Sequence, residues 1–176
     1  MLSALHVMGC YWHDDNETAT SLGELVAAAK DLNSIAALRQ LERRISEWVL
    51  TLDLPLAPLV AAVPPGPNRD AHPVPSLAAC VAEALEVDAV GGVLTRSNPT
   101  SRVRDTPVER RRDVVLAAGY AVNAVVRGRA VVLVDDVTLT GTTLVHLADL
   151  LRQAGAREVV GVVAARTRLA DEEPAD

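Results

Sequence analysis

The chain has 176 residues, 49% of them hydrophobic and 23% charged, with a formal net charge of −6. That is the profile of one globular domain with its own apolar core, not of a disordered or fibrous chain. The acidic total argues against a general nucleic-acid binder, and 2% aromatics with no Phe leaves little for base stacking. Lys30 is the only lysine among 17 basic residues, which excludes a Walker A loop, since that motif needs a lysine after its glycine.

In chain order, residues 5–12 read as a strand and 14–20 as a turn. From Ser21 the period becomes helical, with Leu22, Leu25, Val26 and Ala29 on one face and Glu24 three residues after Ser21 as a capping-box partner. A second helix follows Asn33 and Ser34, with Ile35, Leu38, Ile45, Trp48 and Val49 on its stripe. Residues 59–63 are an apolar strand stopped by Pro64, Pro65 and Gly66. A helix over 76–86 carries Leu77, Val81, Ala84 and Leu85, and 89–94 reads as the next strand. Residues 95–105 are polar and arginine-rich. Thr106, Pro107, Val108 and Glu109 spell a capping box with proline at the first helical position. Residues 130–134 are a strand buried on both faces. A helix with Leu144, Leu147, Ala148 and Leu151 then runs to Gly155, and 158–165 is the last strand. Strands alternating with helices predict an α/β fold: a parallel sheet with helices on both faces.

Cys10 and Cys80 have no CxxC spacing and read as thiols in a reducing compartment. The first residues lack the basic start of a signal peptide. The apolar stretch 54–65 is proline-broken and too short to span a bilayer. The expectation is a cytoplasmic protein with no membrane segment. His6, His13, His72 and His146 show no metal-ligand spacing, and Tyr11, Trp12 and Trp48 read as packing residues, the first two at the border of a hood over the site.

The chemistry lies in residues 130–144, AVVLVDDVTLTGTTL. An apolar strand delivers Asp135 and Asp136 to its C-terminal end, the edge where ligands bind in open α/β sheets. Thr138, Leu139, Thr140, Gly141, Thr142 and Thr143 then lead into a helix. Gly141 permits a tight turn, and the free N–H groups of the helix start, with four threonine hydroxyls, suit a phosphate dianion. The two carboxylates would repel that phosphate unless they meet sugar hydroxyls or a Mg²⁺ held through water. A phosphate beside diol-binding acids describes a ribose 5-phosphate site. The competing reading is an exposed strand end with turn residues. A response-regulator acidic pocket belongs to a first strand, and a haloacid-dehalogenase nucleophile needs D-x-D-x-T, which D-D-V-T does not supply.

The run V-D-D-V-T-L-T-G-T-T resembles the PRPP-binding motif of type I phosphoribosyltransferases. Tyr11, a helix ending at Lys30, a proline-rich turn after the first core strand, and Thr95, Arg96, Glu109, Arg110, Ala118, Gly119 and Tyr120 are similar in arrangement to the competence-type (ComF-like) branch. That wider likeness covers most of the chain. Leu139 departs from the threonine usual there, and the glutamine of the branch's mobile loop has no clear counterpart between Arg102 and Glu109.

The resemblance implies one domain over 1–176, in which 1–55 contribute to a small N-terminal and loop hood, 56–168 form the core and 169–176 are a flexible acidic tail. It implies transfer of phosphoribosyl from PRPP to a small nitrogen acceptor, with Mg²⁺ and possible homodimer formation. Asp135, Asp136, Thr138, Leu139, Thr140, Gly141, Thr142 and Thr143 would bind PRPP, with Asp135 and Asp136 also serving Mg²⁺ through water. Pro64, Pro65, Gly66 and Arg69 would hold pyrophosphate, where an X-Pro bond is free to be cis at low cost; a rigid surface turn is the competing reading there. Arg102 and Arg104, with Arg96 in the same polar stretch, would serve catalysis from a mobile loop. The carboxylate that 6-oxopurine enzymes of the family carry at the position of Leu139 is missing. A non-catalytic PRPP- or nucleotide-binding accessory protein, acting in DNA uptake or nucleotide sensing, is therefore the alternative.

Overall fold

Parallel strands cannot be joined by tight turns, so every strand of a parallel sheet needs a crossover. The computed structural model, which describes residues 1–15, 17–66, 72–97, 107 and 110–167, shows how the chain supplies them. Strand β1 (Ala4–Cys10) leads to helices α1 (Ser21–Lys30) and α2 (Ile35–Val49), then β2 (Leu59–Ala62) and α3 (Pro73–Ala84). Next come β3 (Leu94–Arg96), α4 (Arg111–Ala117) and β4 (Tyr120–Val122), a 3-10 turn at Ala124–Val126, β5 (Ala130–Thr138), α5 (Thr142–Gln153) and β6 (Glu158–Arg166). The main sheet has the order β1-β6-β5-β2 with all neighbours parallel, and β3 and β4 form a separate antiparallel pair.

Side chains alternate across β5, and each row meets its own layer. Val132 and Val134, with Val60 and Val162, pack under Leu41 and Ile45 of α2 and Leu77 and Val81 of α3. Val131 and Leu133, with Val159 and Val163, pack under Leu144, Leu147 and Leu151 of α5. The sheet is therefore covered on both faces, as the unbroken apolar runs of β5 and β6 require. Among the described residues no helix is long and apolar enough to cross a membrane, and neither Cys10 nor Cys80 is in a disulfide.

Several elements differ from the sequence reading. Residues 4–10 are a full member of the sheet, paired with β6, and α1 and α2 contribute to the main apolar layer; they do more than border a hood. The cap of α1 is Thr20, whose hydroxyl accepts from the Gly23 N–H at 3.0 Å, and not Ser21. Ile35 is exposed, and the buried stripe of α2 is Ala37, Leu41, Ile45 and Val49, an i+4 row. Helix α3 starts at Pro73, three residues early, with the His72 ring accepting from the Val74 N–H. The strand expected over 89–94 is displaced: Ala89 makes one parallel bridge to Val60, and the pairing residues are Leu94–Arg96, against β4. Gly91 and Gly92 interrupt the run, and Gly92 has φ 70°, outside strand geometry. Most of the capping box at 106–109, the 98–106 loop and the 169–176 tail lie outside the described residues; α4 begins at Arg111 with no side-chain cap from Arg110.

The end of β1 and the start of α1 are in contact through backbone. Thr20 donates its N–H to the Tyr11 carbonyl at 2.9 Å and its hydroxyl to the Cys10 carbonyl at 2.7 Å. A Cβ at Gly23 would lie 2.0 Å from that same Tyr11 oxygen, so the helix can approach only without a side chain there. Gly23→Ala, though it improves helix propensity, should lower stability by about 1–3 kcal/mol through overpacking. Urea denaturation checks this, and an unchanged or higher midpoint would contradict the close approach.

Candidate functional site

Strand β5 outruns its neighbour on one side. Ala62, the last residue of β2, pairs with Val134, whereas β5 stays paired with β6 as far as Thr138 opposite Arg166. The C-terminal end of β5 therefore opens toward β2 at Asp135, just where the apolar row ends. The chain then turns through Gly141, at φ 71° and ψ 2°, into α5. The Thr138 hydroxyl accepts from the Gly141 N–H at 3.1 Å, and the Thr140 and Thr142 hydroxyls lie 2.7 Å apart. Glycine as N-cap brings no side chain of its own to the first-turn amides, of which the Thr142 N–H donates to the Thr140 hydroxyl at 3.4 Å.

A cavity of about 330 Å³ lies over this end of the sheet. Asp135, Val137 and all six residues of the turn, Thr138, Leu139, Thr140, Gly141, Thr142 and Thr143, line it. So do Tyr11, Trp12, Lys30, Asp31 and Thr167, which come from the ends of β1, α1 and β6.

The acidic pair is divided by strand alternation. Asp136 continues the row of Val132 and Val134 toward α1 and α3, and is only 2% exposed. Its Oδ2 is 2.5 Å from the Lys30 ammonium and 4.0 Å from His72 Nε2, and its Oδ1 accepts from the Val137 N–H at 2.7 Å. His72 Nδ1 accepts from Val74 N–H, so in a neutral ring Nε2 carries the hydrogen and faces Asp136. Asp135 opens onto the cavity, although its carboxyl is ringed by protein. Burial first, and the neighbouring Asp136 charge second, push its pKa well above the ordinary 3.8, while Lys30 and the Asp136 N–H pull it back. Burial also raises the Tyr120 phenol, with the nearby Arg96 opposing.

On the β2 side, Pro64, Pro65 and Gly66 leave the strand next to β5, with Val63 N–H still donating to the Val134 carbonyl at 2.9 Å. The described peptide bonds are all trans, those before Pro64 and Pro65 included. A Cβ on Gly66 would come 3.6 Å from Arg96 Nη1, and the Arg96 guanidinium lies 5.7 Å from the centre of the Tyr120 ring. Arg96 thus sits in strand β3, facing the 64–66 turn, and not in a loop. Arg69, Arg102 and Arg104 lie outside the described residues.

Sequence reasoning assigned no role to Lys30, Asp31, His72 or Thr167. Lys30 carried one signal, as the sole lysine beside 16 arginines. His72 carried another, directly before a proline that opens a helix. Asp31 and Thr167 carried none.

Residues 77–176 match the family model described as the phosphoribosyl transferase domain. Over 38 residues, 22% of the chain, it is 53% identical to an amidophosphoribosyltransferase of Pyrococcus horikoshii. Over 67 residues, 38% of the chain, it is 39% identical to a chloroplastic amidophosphoribosyltransferase of Arabidopsis thaliana. These matches span 8% and 13% of the two relatives. Among solved structures it is similar to the glutamine PRPP amidotransferase of B. subtilis in complex with ADP and GMP. That likeness has a TM-score of 0.53 at 25% identity and covers 72% of this chain and 26% of that one.

Removing one partner of a buried ion pair leaves an uncompensated charge, at a cost of about 3–5 kcal/mol. Lys30→Met should therefore destabilise by about 3 kcal/mol or more, with Asp136→Asn recovering part of the loss when combined with it; additive losses in denaturant would dissolve the pair. Asp135 behaves oppositely. A carboxyl raised above its unfolded value contributes stability that is full below the ordinary range and lost as pH rises through the folded value. Asp135→Asn should accordingly melt above wild type near pH ~8, with the gap closing toward pH ~4. A variant less stable than wild type at the higher pH would refute the strained carboxylate.

Proposed function

Because the chain belongs to the phosphoribosyltransferase family, we propose that it binds PRPP over the end of β5 and transfers its phosphoribosyl group to a nitrogen acceptor, releasing pyrophosphate. The observation that carries this reading is a single cavity in which the strand-end carboxylate of Asp135 adjoins the hydroxyl-rich turn of residues 138–143. The 5-phosphate is assigned to the first amides of α5 and the hydroxyls of Thr140, Thr142 and Thr143. Thr138 acts behind them, holding Gly141, and Leu139 forms part of the wall. Asp135 takes the ribose hydroxyls. Pro64, Pro65 and Gly66, with Arg96 facing them, are assigned to pyrophosphate; Arg69, Arg102 and Arg104 join them on the strength of the sequence pattern alone. The names of the amidophosphoribosyltransferase relatives support a nitrogen atom as the one glycosylated.

In the reaction the nitrogen lone pair forms the bond to C1 as the C1–oxygen electron pair departs with pyrophosphate, and the nitrogen sheds a proton. No covalent enzyme intermediate is required. The residues position the partners and offset developing charge. A hard carboxylate oxygen beside a phosphate site fits Mg²⁺ held through water. Bound there, the ion would neutralise the pyrophosphate charge. Asp135 is the member of the pair placed for it, since Asp136 would first have to give up Lys30.

Leu139 favours a second reading in one respect. It lines the cavity yet offers no proton, and loss of an acid/base costs about 10²–10⁴ in rate. A PRPP-binding accessory protein of the competence type would tolerate that loss. The test is calorimetry with PRPP and Mg²⁺, followed by pyrophosphate release with hypoxanthine, guanine, adenine, uracil and ammonia. Heat of binding and turnover with a non-oxopurine acceptor are expected, with negligible turnover of hypoxanthine and guanine. Binding without any turnover would establish the accessory reading, and no binding would end both.

A further inference from the structure

The main sheet has two edges, and the chain treats them differently. On the β2 side the following segment lies along the edge: Ala89 bridges Val60, and the Val90 N–H donates to the Val60 carbonyl at 3.3 Å. On the outer side of β1 no described strand pairs. Strand β1 reads ALHVMGC. It holds no proline or lysine, and its register with β6 keeps one offset from Ala4 to Cys10, so the features that usually blunt an edge are missing. The Ser3 and Tyr11 N–H groups both donate to β6 carbonyls. Odd-numbered residues of β1 therefore turn their backbone groups toward β6, and His6 and Met8 turn theirs away from the sheet. Beyond Met8 the Thr20 hydroxyl, on the Cys10 carbonyl, closes the edge. A groove adjoins the same strand, lined by Met8, Leu22, Arg44, Glu47 and Trp48. Its floor is apolar, and α2 supplies one cation and one anion to its rim.

We propose that this edge binds a second copy of the chain, β1 antiparallel to β1 about Val7, so that the two main sheets become one. In that register His6 faces the partner's Met8 and Met8 faces the partner's His6, each pair exchanging two N–H···O bonds. Leu5, 38% exposed, faces the partner's Gly9, which has no side chain to obstruct it. No facing pair sets like charges together. A two-fold axis relating antiparallel neighbours stands perpendicular to the sheet, so the two α2 helices lie antiparallel on one face. Arg44 of each copy then comes opposite the partner's Glu47. A rim with one charge of each sign is complementary to itself, which favours a second copy over an acidic or a basic strand. The carboxyl ends of the two β1 strands point in opposite directions, so each copy keeps its own cavity.

Sedimentation of the full chain over a concentration series should reach the mass of two chains. His6→Pro removes an outward N–H at a position where an edge strand tolerates proline, and should leave a monomer whose circular dichroism is that of the folded chain. Arg44→Glu sets acids against acids across the axis and should weaken association about tenfold. Adding Glu47→Arg should restore it, a recovery that damage to the fold could not produce, so this series decides the matter even if the proline variant fails to fold. Register is read by cross-linking in a Cys10→Ser, Cys80→Ser background. Val7→Cys should form an intermolecular disulfide under mild oxidation, because Val7 faces itself at the close, non-hydrogen-bonded spacing, and Leu5→Cys should not. A monomer at every concentration, a dimer that ignores the charge reversal and its rescue, or cross-linking at Leu5 in preference to Val7 would overturn the proposal.

Discussion

A carboxylate that is 2% exposed cannot remain charged inside a protein without a counter-charge, and Asp136 obtains one from the chain's single lysine. That pair sets several features at once. It draws the last turn of α1 against the end of β5, roughly 100 residues away in sequence, and it brings the N-cap of α3 close through His72. A lysine suits this place because its ammonium is a compact point charge, which meets the single Asp136 oxygen it faces. With Asp136 engaged, Asp135 is the member of the pair that meets the cavity, and its pKa is raised first by burial and second by the carboxylate beside it.

The second constraint is the unequal length of the central strands. All four strands of the main sheet are parallel, so their carboxyl ends share one edge. Strand β2 ends at Ala62, opposite Val134, while β5 continues to Thr138 beside β6. The resulting step makes a crevice beyond the two apolar layers of the core. The lining of the cavity therefore comes from the last residues of β5 and from turns and helix ends, while packing comes from the interior of the strands. Part of the cavity wall shows this division. Leu139, Asp31 and Trp12 all lie outside the regular elements.

The two helices that follow β1 show why the N-terminal part is more than a cover. Their apolar residues fill one face of the sheet, and Gly23 lets α1 touch the carbonyl of Tyr11. A change in that contact would move the aromatic pair, the last turn of α1 and Lys30 together. Stability and site geometry are thus coupled through one helix.

What could be read from the sequence was what is local. The strand of 130–134 and the glycine turn of 138–143 are contiguous, and their alternation, hydroxyls and left-handed glycine obey short-range rules. The parallel α/β class followed from element order for the same reason. Boundaries slipped where a neighbour in space decided them: Ile35 has a helical apolar spacing but is exposed, and 89–94 lost its strand because its contact with β2 is one bridge, Ala89 opposite Val60 with the Val90 N–H on the Val60 carbonyl. The division of labour between Asp135 and Asp136 follows from strand alternation only once the layer on each face is known. Lys30, Asp31, His72, Tyr11, Trp12 and Thr167 come to the site from segments far apart in the chain. No periodicity links them, and only the packing of α1 and β6 against the end of β5 makes them neighbours.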